Sequence, residues 1–286
     1  MSDPNSPPPT PPARGRGALA AAAGQLASVS DTPQLDAELL LAHALGVDRG
    51  ALLLRHLDDP APDAFTQLVQ RRLAHEPVAY ITGTRDFWTI TLAVGPGVLI
   101  PRPDSETLIE AAIEHFGDRS PKRILDLGTG SGALLFAALD QWPRALGFGL
   151  DASGEALAYA YRNMKALGMK GRVQLNIGGW TAMSHWGSTY DLVLCNPPYI
   201  ALDADLPPEV RTHEPGQALF AGEDGLDDYR MLAPLLPGVL APGGVACIEI
   251  GWDQGESAAR YFRDAGLSVD VKQDLAGRDR CLVVTP

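Results

Sequence analysis

The sequence predicts an α/β protein: a doubly wound, mostly parallel seven-stranded sheet, preceded by a small N-terminal helical bundle and a β-hairpin linker. Three observations point there. From about Asp104 onward, short apolar runs alternate with helical patterns. A glycine-rich turn at 128–132 joins one such run to a helix. The region from about Ala18 to His75 has helical periodicity and no strand-like run.

Residues 1–16 are rich in proline and polar side chains, which bury too little apolar area to offset their ordering entropy; a disordered tail is expected. The start has no basic segment followed by an apolar one, so it does not read as a secretory signal. Residues 17–78 form the helical part. Asp31 and Thr32 offer N-caps before Pro33. Leu35, Leu39, Leu40, Ala44 and Leu45 then recur at helical spacing, and Gly46 is a C-cap. Shorter helices follow through Leu53, Leu54, Phe65, Leu68 and Leu73. This part carries no chemical motif and is expected to recognise a substrate.

Residues 79–103 change character. Phe87, Trp88, Ile90, Leu92 and Val94 partly alternate with Thr89, Thr91 and Ala93, a hairpin pattern that ends at Gly95-Pro96-Gly97. In 104–286, strands are expected at 123–127, 146–150, 173–176, 192–195, 245–250, 267–271 and 281–284. Helices are expected at 133–140, 154–167, 225–240 and 254–265.

The chain has 286 residues, 45% of them hydrophobic, enough for one large or two modest cores. A formal net charge of −12 argues against affinity built on nucleic-acid phosphates. No apolar stretch approaches the roughly 20 residues that span a bilayer, so the expectation is a cytoplasmic protein that engages neither membrane nor, directly, nucleic acid. Cys195, Cys247 and Cys281 lie in apolar runs without zinc-ligand spacing, and the histidines form no HxH or HExxH pattern; no metal site is expected.

The glycine turn reads Gly128-Thr129-Gly130-Ser131-Gly132 after the strand Ile124-Leu-Asp-Leu. Glycines permit the tight turn and close ligand approach, and the helix start offers free N–H groups. Asp151 closes the next strand, where a carboxylate can accept both hydroxyl hydrogens of a ribose. Because Gly128, Gly130 and Ala133 also satisfy the dinucleotide fingerprint, NAD and S-adenosylmethionine both remain open at this point.

Asn196-Pro197-Pro198-Tyr199 follows a short apolar strand and so lies at the carboxyl end of the sheet. The prolines keep their carbonyls, and Asn196 adds a side-chain carbonyl, so the loop can accept both hydrogens of a planar NH₂ group. Tyr199 offers a flat face for stacking. Accepting both N–H bonds pushes electron density onto an otherwise unreactive amide nitrogen, which can then attack a sulfonium methyl in line. Positioning and preorganised dipoles carry most of such a reaction.

With these residues the sequence resembles the HemK/PrmC release-factor glutamine methyltransferases. The likeness runs from about Leu35 and includes AYITGTRDFW (79–88), VLIPRPDSE (98–106), EPGQALFAGEDGLDDYR (214–230), EIGWDQGE (249–256) and DLAGRDR (274–280). It implies a methyltransferase domain over 104–286, with S-adenosylmethionine as cofactor. The acceptor it implies is the glutamine of a Gly-Gly-Gln loop in a peptide-chain release factor. By resemblance, Gly128, Thr129, Gly130, Ser131 and Gly132 hold the methionine moiety and Asp151 the ribose, and Trp180 contacts the cofactor. Asn196 touches cofactor and acceptor, and Asn196, Pro197, Pro198 and Tyr199 grip the glutamine amide. Pro101-Arg102-Pro103 reads equally as part of the site or as a rigid strap. Two positions depart from the family pattern: Gly179 stands where Asp is usual, and Ser105 where Thr is usual. Rival readings are a ribosomal-protein glutamine methyltransferase, an adenine-N6 nucleic-acid methyltransferase and a catalytically dead binding module. The PRPDSE linker argues against the first, and the acidic charge against the second.

Overall fold

The computed structural model describes residues 15–185 and 189–286. The expected disordered tail therefore lies outside the described residues, apart from Gly15 and Arg16, which open the first helix two residues before its expected start. The chain divides into two compact units, Met1–Gly83 and Thr84–Pro286.

The first unit is helical: α1 (Gly15–Leu26), α2 (Pro33–Leu45), α3 (Arg49–Ala51) running into a π-helical turn (Leu52–His56), α4 (Asp63–Leu73) and α5 (Val78–Thr82). Thr32 takes the N-cap position and Gly46 the left-handed C-cap at φ 68°. The Thr32 hydroxyl turns to Asp36 Oδ1 (3.3 Å) rather than to the backbone. The buried face of α2 differs from the expected one: Ala37, Leu40 and Leu41 are buried while Leu35 is exposed. A run of three leucines at 39–41 leaves the phase of the helix ambiguous. Buried Asp36 and Glu38 settle it, because Arg72 Nε donates to Asp36 (2.8 Å) and Arg49 Nε to Glu38 (2.7 Å). In the next segment Leu52 is buried and Leu54 exposed.

The second unit opens with the hairpin β1 (Thr84–Phe87) and β2 (Ile90–Ala93). The residues just before it, expected to belong to the hairpin, form α5 instead. The hairpin is tied to the α/β unit through Asn163: Oδ1 accepts from Ala93 N–H (2.7 Å), and Nδ2 donates to the carbonyls of Ala93 (3.0 Å) and Ser131 (2.9 Å). A 3₁₀ turn (Pro103–Ser105) leads into α6 (Glu106–Phe116), a helix the sequence reading did not single out.

Strands and helices then alternate: β3 (Arg123–Leu127), α7 (Ala133–Gln141), β4 (Leu146–Asp151), α8 (Gly154–Ala166), β5 (Val173–Ile177) and β6 (Tyr190–Cys195). After them come α9 (Pro208–His213), α10 (Asp227–Leu232), β7 (Leu240–Glu249), α11 (Gly255–Asp264), β8 (Ser268–Gln273) and β9 (Asp279–Thr285). The single helix expected at 225–240 is cut short after Leu232, because Pro234 and Pro237 each lack an N–H donor; a 3₁₀ turn (Leu236–Gly238) follows. The sheet order is β5-β4-β3-β6-β7-β9-β8, with β9 antiparallel to both neighbours and the rest parallel.

Both faces of the sheet are covered. Ile124, Leu192 and Leu194 pack into one apolar core with Leu108, Phe136 and Leu139. The alternating Leu125, Leu127 and Val193 pack into a second with Tyr229 and Phe262. Chain order runs outward from β3 to β5 and then returns to the other side of β3 with β6. That reversal is a topological switch point, and it opens a crevice at the strands' carboxyl ends. Leu127 pairs with Cys195 there, so the glycine turn and Asn196 leave the sheet side by side. Among the described residues, no helix is long and apolar enough to cross a membrane.

Candidate active site

A cavity of about 270 Å³ occupies this crevice, and all its lining residues belong to the second unit. Its wall includes Gly128, Thr129, Gly130 and Ser131 from the glycine turn, Asp151 from the end of β4, and Trp180, Asn196 and Pro198. Gly132, Pro197 and Tyr199 are not among the lining residues. Gly132 instead caps α7 at φ 88°, where an added Cβ would fall 2.1 Å from the Phe136 ring. Pro197 is buried. Tyr199 packs its ring against the second core and donates its hydroxyl to Glu249 Oε1 at 3.1 Å. Its phenol is thus turned inward rather than offered to the cavity as a free face. Burial and the neighbouring Glu249 carboxyl raise its pKa.

The glycine turn is held by its neighbours. Gly128 and Thr129 N–H groups both donate to the Leu150 carbonyl, at 2.8 and 3.0 Å. Asp151 accepts from Gly130 N–H and Ser153 N–H, each at 2.8 Å, which leaves further lone pairs on both oxygens. Gly128 has φ 69°, and an added Cβ would lie 3.2 Å from the Trp180 ring and 3.7 Å from the Asn196 carbonyl. Glycine is required where the turn, the indole and the Asn196 loop converge.

Trp180 is fixed by Asp228 Oδ1, which accepts from its indole N–H at 2.6 Å. Asp228 also lines the cavity. Nothing lies within 4 Å of a Cβ built on Gly179. Asn196 Nδ2 donates to Ser105 Oγ at 3.2 Å. Arg102, between Pro101 and Pro103, pairs with buried Glu214, whose Oε2 also accepts from Ile100 N–H at 3.1 Å. Pro101 lines the cavity, so this strap is part of the site wall.

The electrostatics favour a cation. Asp126 lines the cavity at 1% exposure. Its Oδ2 accepts from Thr129 Oγ1 at 2.6 Å, while Oδ1 is buried with no hydrogen-bond partner. Burial raises its pKa to about 7. Burial likewise raises Asp151 and Asp228. No lysine or arginine lines the cavity among the described residues. The acidic lining suits a cation such as a sulfonium, Asp151 has lone pairs free for a ribose diol, and Trp180 offers an apolar plane. The residues present fit S-adenosylmethionine.

The sequence reading gave no role to Asp126, Asp228 or Glu249. An acid at a strand's carboxyl end just before the glycines was a usable signal for Asp126; the other two act across 48 and 50 residues of chain. Among the described residues, no group of three or more His, Cys, Asp or Glu could hold a metal ion.

Comparison with known proteins gives two family matches: a PrmC N-terminal domain over residues 17–83 and a methyltransferase domain over 118–258. A release factor glutamine methyltransferase of Rhodospirillum rubrum is 42% identical, covering 88% of this chain and 79% of that protein. Proteins of the same description from Cereibacter sphaeroides and Moorella thermoacetica are 44% and 41% identical. They cover 93% and 94% of this chain, and 96% and 97% of their own lengths. A solved methyltransferase from Pyrococcus furiosus shares the fold, with TM-score 0.51 and 16% identity over 77% of this chain and 98% of that one.

Proposed function

Because the chain belongs to the release factor glutamine methyltransferase family, we propose that it methylates the side-chain amide nitrogen of the glutamine in a release factor's Gly-Gly-Gln loop. S-adenosylmethionine is the methyl donor. The observation that carries the reading is the convergence at Gly128, where the Asn196 loop meets the glycine turn. A release-factor substrate places the enzyme in the cytoplasm.

S-adenosylmethionine, when bound, supplies an electrophilic sulfonium methyl. Gly128, Thr129, Gly130 and Ser131 would hold its methionine end near Asp126, Asp151 its ribose, and Trp180 its apolar part. The side-chain carbonyl of Asn196 and the backbone carbonyl of Pro197 accept the two N–H bonds of the incoming amide. They draw its lone pair out of conjugation and aim it at the methyl. No strong base is needed, since the N-methylated amide cation is very acidic and gives its proton to water. Incubation with labelled S-adenosylmethionine and release factor, followed by mass mapping of the modified residue, tests the assignment; a label on any other residue rejects it.

Cofactor affinity should rise with pH. Burial lifts the folded-state pKa of Asp126 above its unfolded value to about 7. Its contribution to the stability of the ligand-free protein is therefore complete in acid and lost as pH rises through that value. A bound cation favours the ionised form, so binding tightens over the same interval. Calorimetry from pH 5.5 to 7.5 should show this, and Asp126→Asn should flatten the dependence; an unchanged profile removes Asp126 from the site.

The helical unit recognises the protein substrate in this reading, since the cavity lies wholly in the second unit. A truncation beginning at Ala79 should bind S-adenosylmethionine normally and methylate release factor about tenfold more slowly or worse, because remote binding energy is lost. Full activity of the soluble truncation contradicts this.

A further inference from the structure

We propose that Glu214 sets a preference for a glycine-flanked glutamine by clasping shut a ring of chain around Asn196; the inference rests on the assignment of the Asn196 loop to the acceptor amide.

Three segments meet around Asn196, and each lines the cavity. One is the Asn196 loop itself, through Pro198. Another is the strap, through Pro101 and Ser105. The third runs from Glu214 to Phe220 and contributes Pro215 and Phe220. Hydrogen bonds close them into a ring. Asn196 Nδ2 donates to Ser105 Oγ at 3.2 Å, which joins loop to strap. Ile200 N–H donates to the Leu219 carbonyl and Ala221 N–H to the Ile200 carbonyl, both at 2.9 Å, which joins loop to third segment. Glu214 makes the remaining join, across more than a hundred residues of chain. Its Oε2 accepts from Ile100 N–H at 3.1 Å, and its Oε1 accepts from the Arg102 guanidinium. The Glu214 side chain is 1% exposed, so both oxygens are committed to the strap.

The ring governs what can accompany the glutamine. Cβ, Cγ and Cδ alone separate the acceptor's amide from its Cα, so a glutamine that reaches Asn196 brings its own backbone up to the ring. The wall there is stiff, because Pro101, Pro198 and Pro215 have fixed φ. A neighbouring glycine passes such a wall, and a neighbour with a Cβ presses against it. The wall withstands that pressure only while the strap and the third segment stay joined. A glutamine at 214 would keep the shape of the side chain and lose the clasp. Its Oε1 could accept one of the two bonds, and its NH₂ would then face the second donor. The two segments could part, and the wall would yield to a methyl group.

The test gives the full-length wild type, E214Q and R102A labelled S-adenosylmethionine and two acceptors: a release factor, and its variant in which alanine replaces the glycine before the glutamine. The readout is the ratio of kcat/KM for the two acceptors, which does not depend on the fraction of enzyme folded. The wild type should favour the glycine form roughly 10–200-fold, the range for one methyl group in a close-fitting pocket. Glu214→Gln and Arg102→Ala should each shrink that ratio about fivefold or more, while cofactor Kd stays within about twofold of wild type. A wild-type ratio near unity, or an unchanged ratio in E214Q, overturns the proposal; if E214Q does not fold, an unchanged ratio in R102A does the same. A wild-type chain that labels neither acceptor would instead remove the function on which the proposal rests.

Discussion

Replacing Asn196 with alanine lowers kcat about 10²–10³-fold, a loss of roughly 3–4 kcal/mol, because it deletes a preorganised acceptor needed most as the amide nitrogen pyramidalises. The loss should fall on chemistry more than on cofactor binding. It is the backbone carbonyl of Asn196 that lies against the glycine turn, and alanine keeps that carbonyl. The side chain is tethered by its NH₂ to Ser105, so its oxygen is held ready before substrate arrives. Single-turnover rates at saturating cofactor, set beside calorimetric cofactor affinity, separate the two effects. A kcat within threefold of wild type would take Asn196 out of the transition state.

Asp151→Ala should have the opposite profile. Losing a carboxylate that accepts two ribose hydroxyls weakens cofactor binding by roughly 1.5–3 kcal/mol, or about tenfold to 150-fold in Kd. The same change frees the N–H groups of Gly130 and Ser153, each bonded at 2.8 Å, so the glycine turn also loses a brace. At saturating cofactor, kcat should recover most of its wild-type value. Unchanged cofactor affinity by calorimetry would remove Asp151 from the site.

Much of this architecture was legible in the chain, for identifiable reasons. The central parallel strands are short apolar runs buried on both faces, such as Ile124–Leu127 beside Leu192–Cys195. The glycine turn and the Asn196 loop declare themselves locally, because their chemistry is built from adjacent residues. Helix α6 was legible in principle, since buried Leu108, Ile109, Ala112 and Phe116 keep helical spacing, although no element was expected there. The phase of α2 was not legible, because it depends on Arg72, 36 residues along the chain from the Asp36 carboxylate it neutralises.

The site shows the same divide. Tyr199 read as a free aromatic face because nothing near it in sequence reveals Glu249, 50 residues on, which turns its hydroxyl inward. Trp180 is aimed by Asp228, 48 residues away. Several cavity-lining residues, Gly128 to Ser131, Asp151, Trp180, Asn196 and Pro198, stood out from motif chemistry. Residues that orient them depend on long-range pairing and burial, which no local pattern encodes.

The most direct test of the central claim offers the wild-type enzyme three acceptors with labelled S-adenosylmethionine: a release factor, its Gln→Glu variant in the Gly-Gly-Gln loop, and adenine-containing DNA. Two carbonyl acceptors suit an NH₂ group and repel a carboxylate, so label should enter the release factor at that glutamine nitrogen and neither of the other two. Methylation of the DNA, or equal labelling of the Gln→Glu variant, would contradict the account.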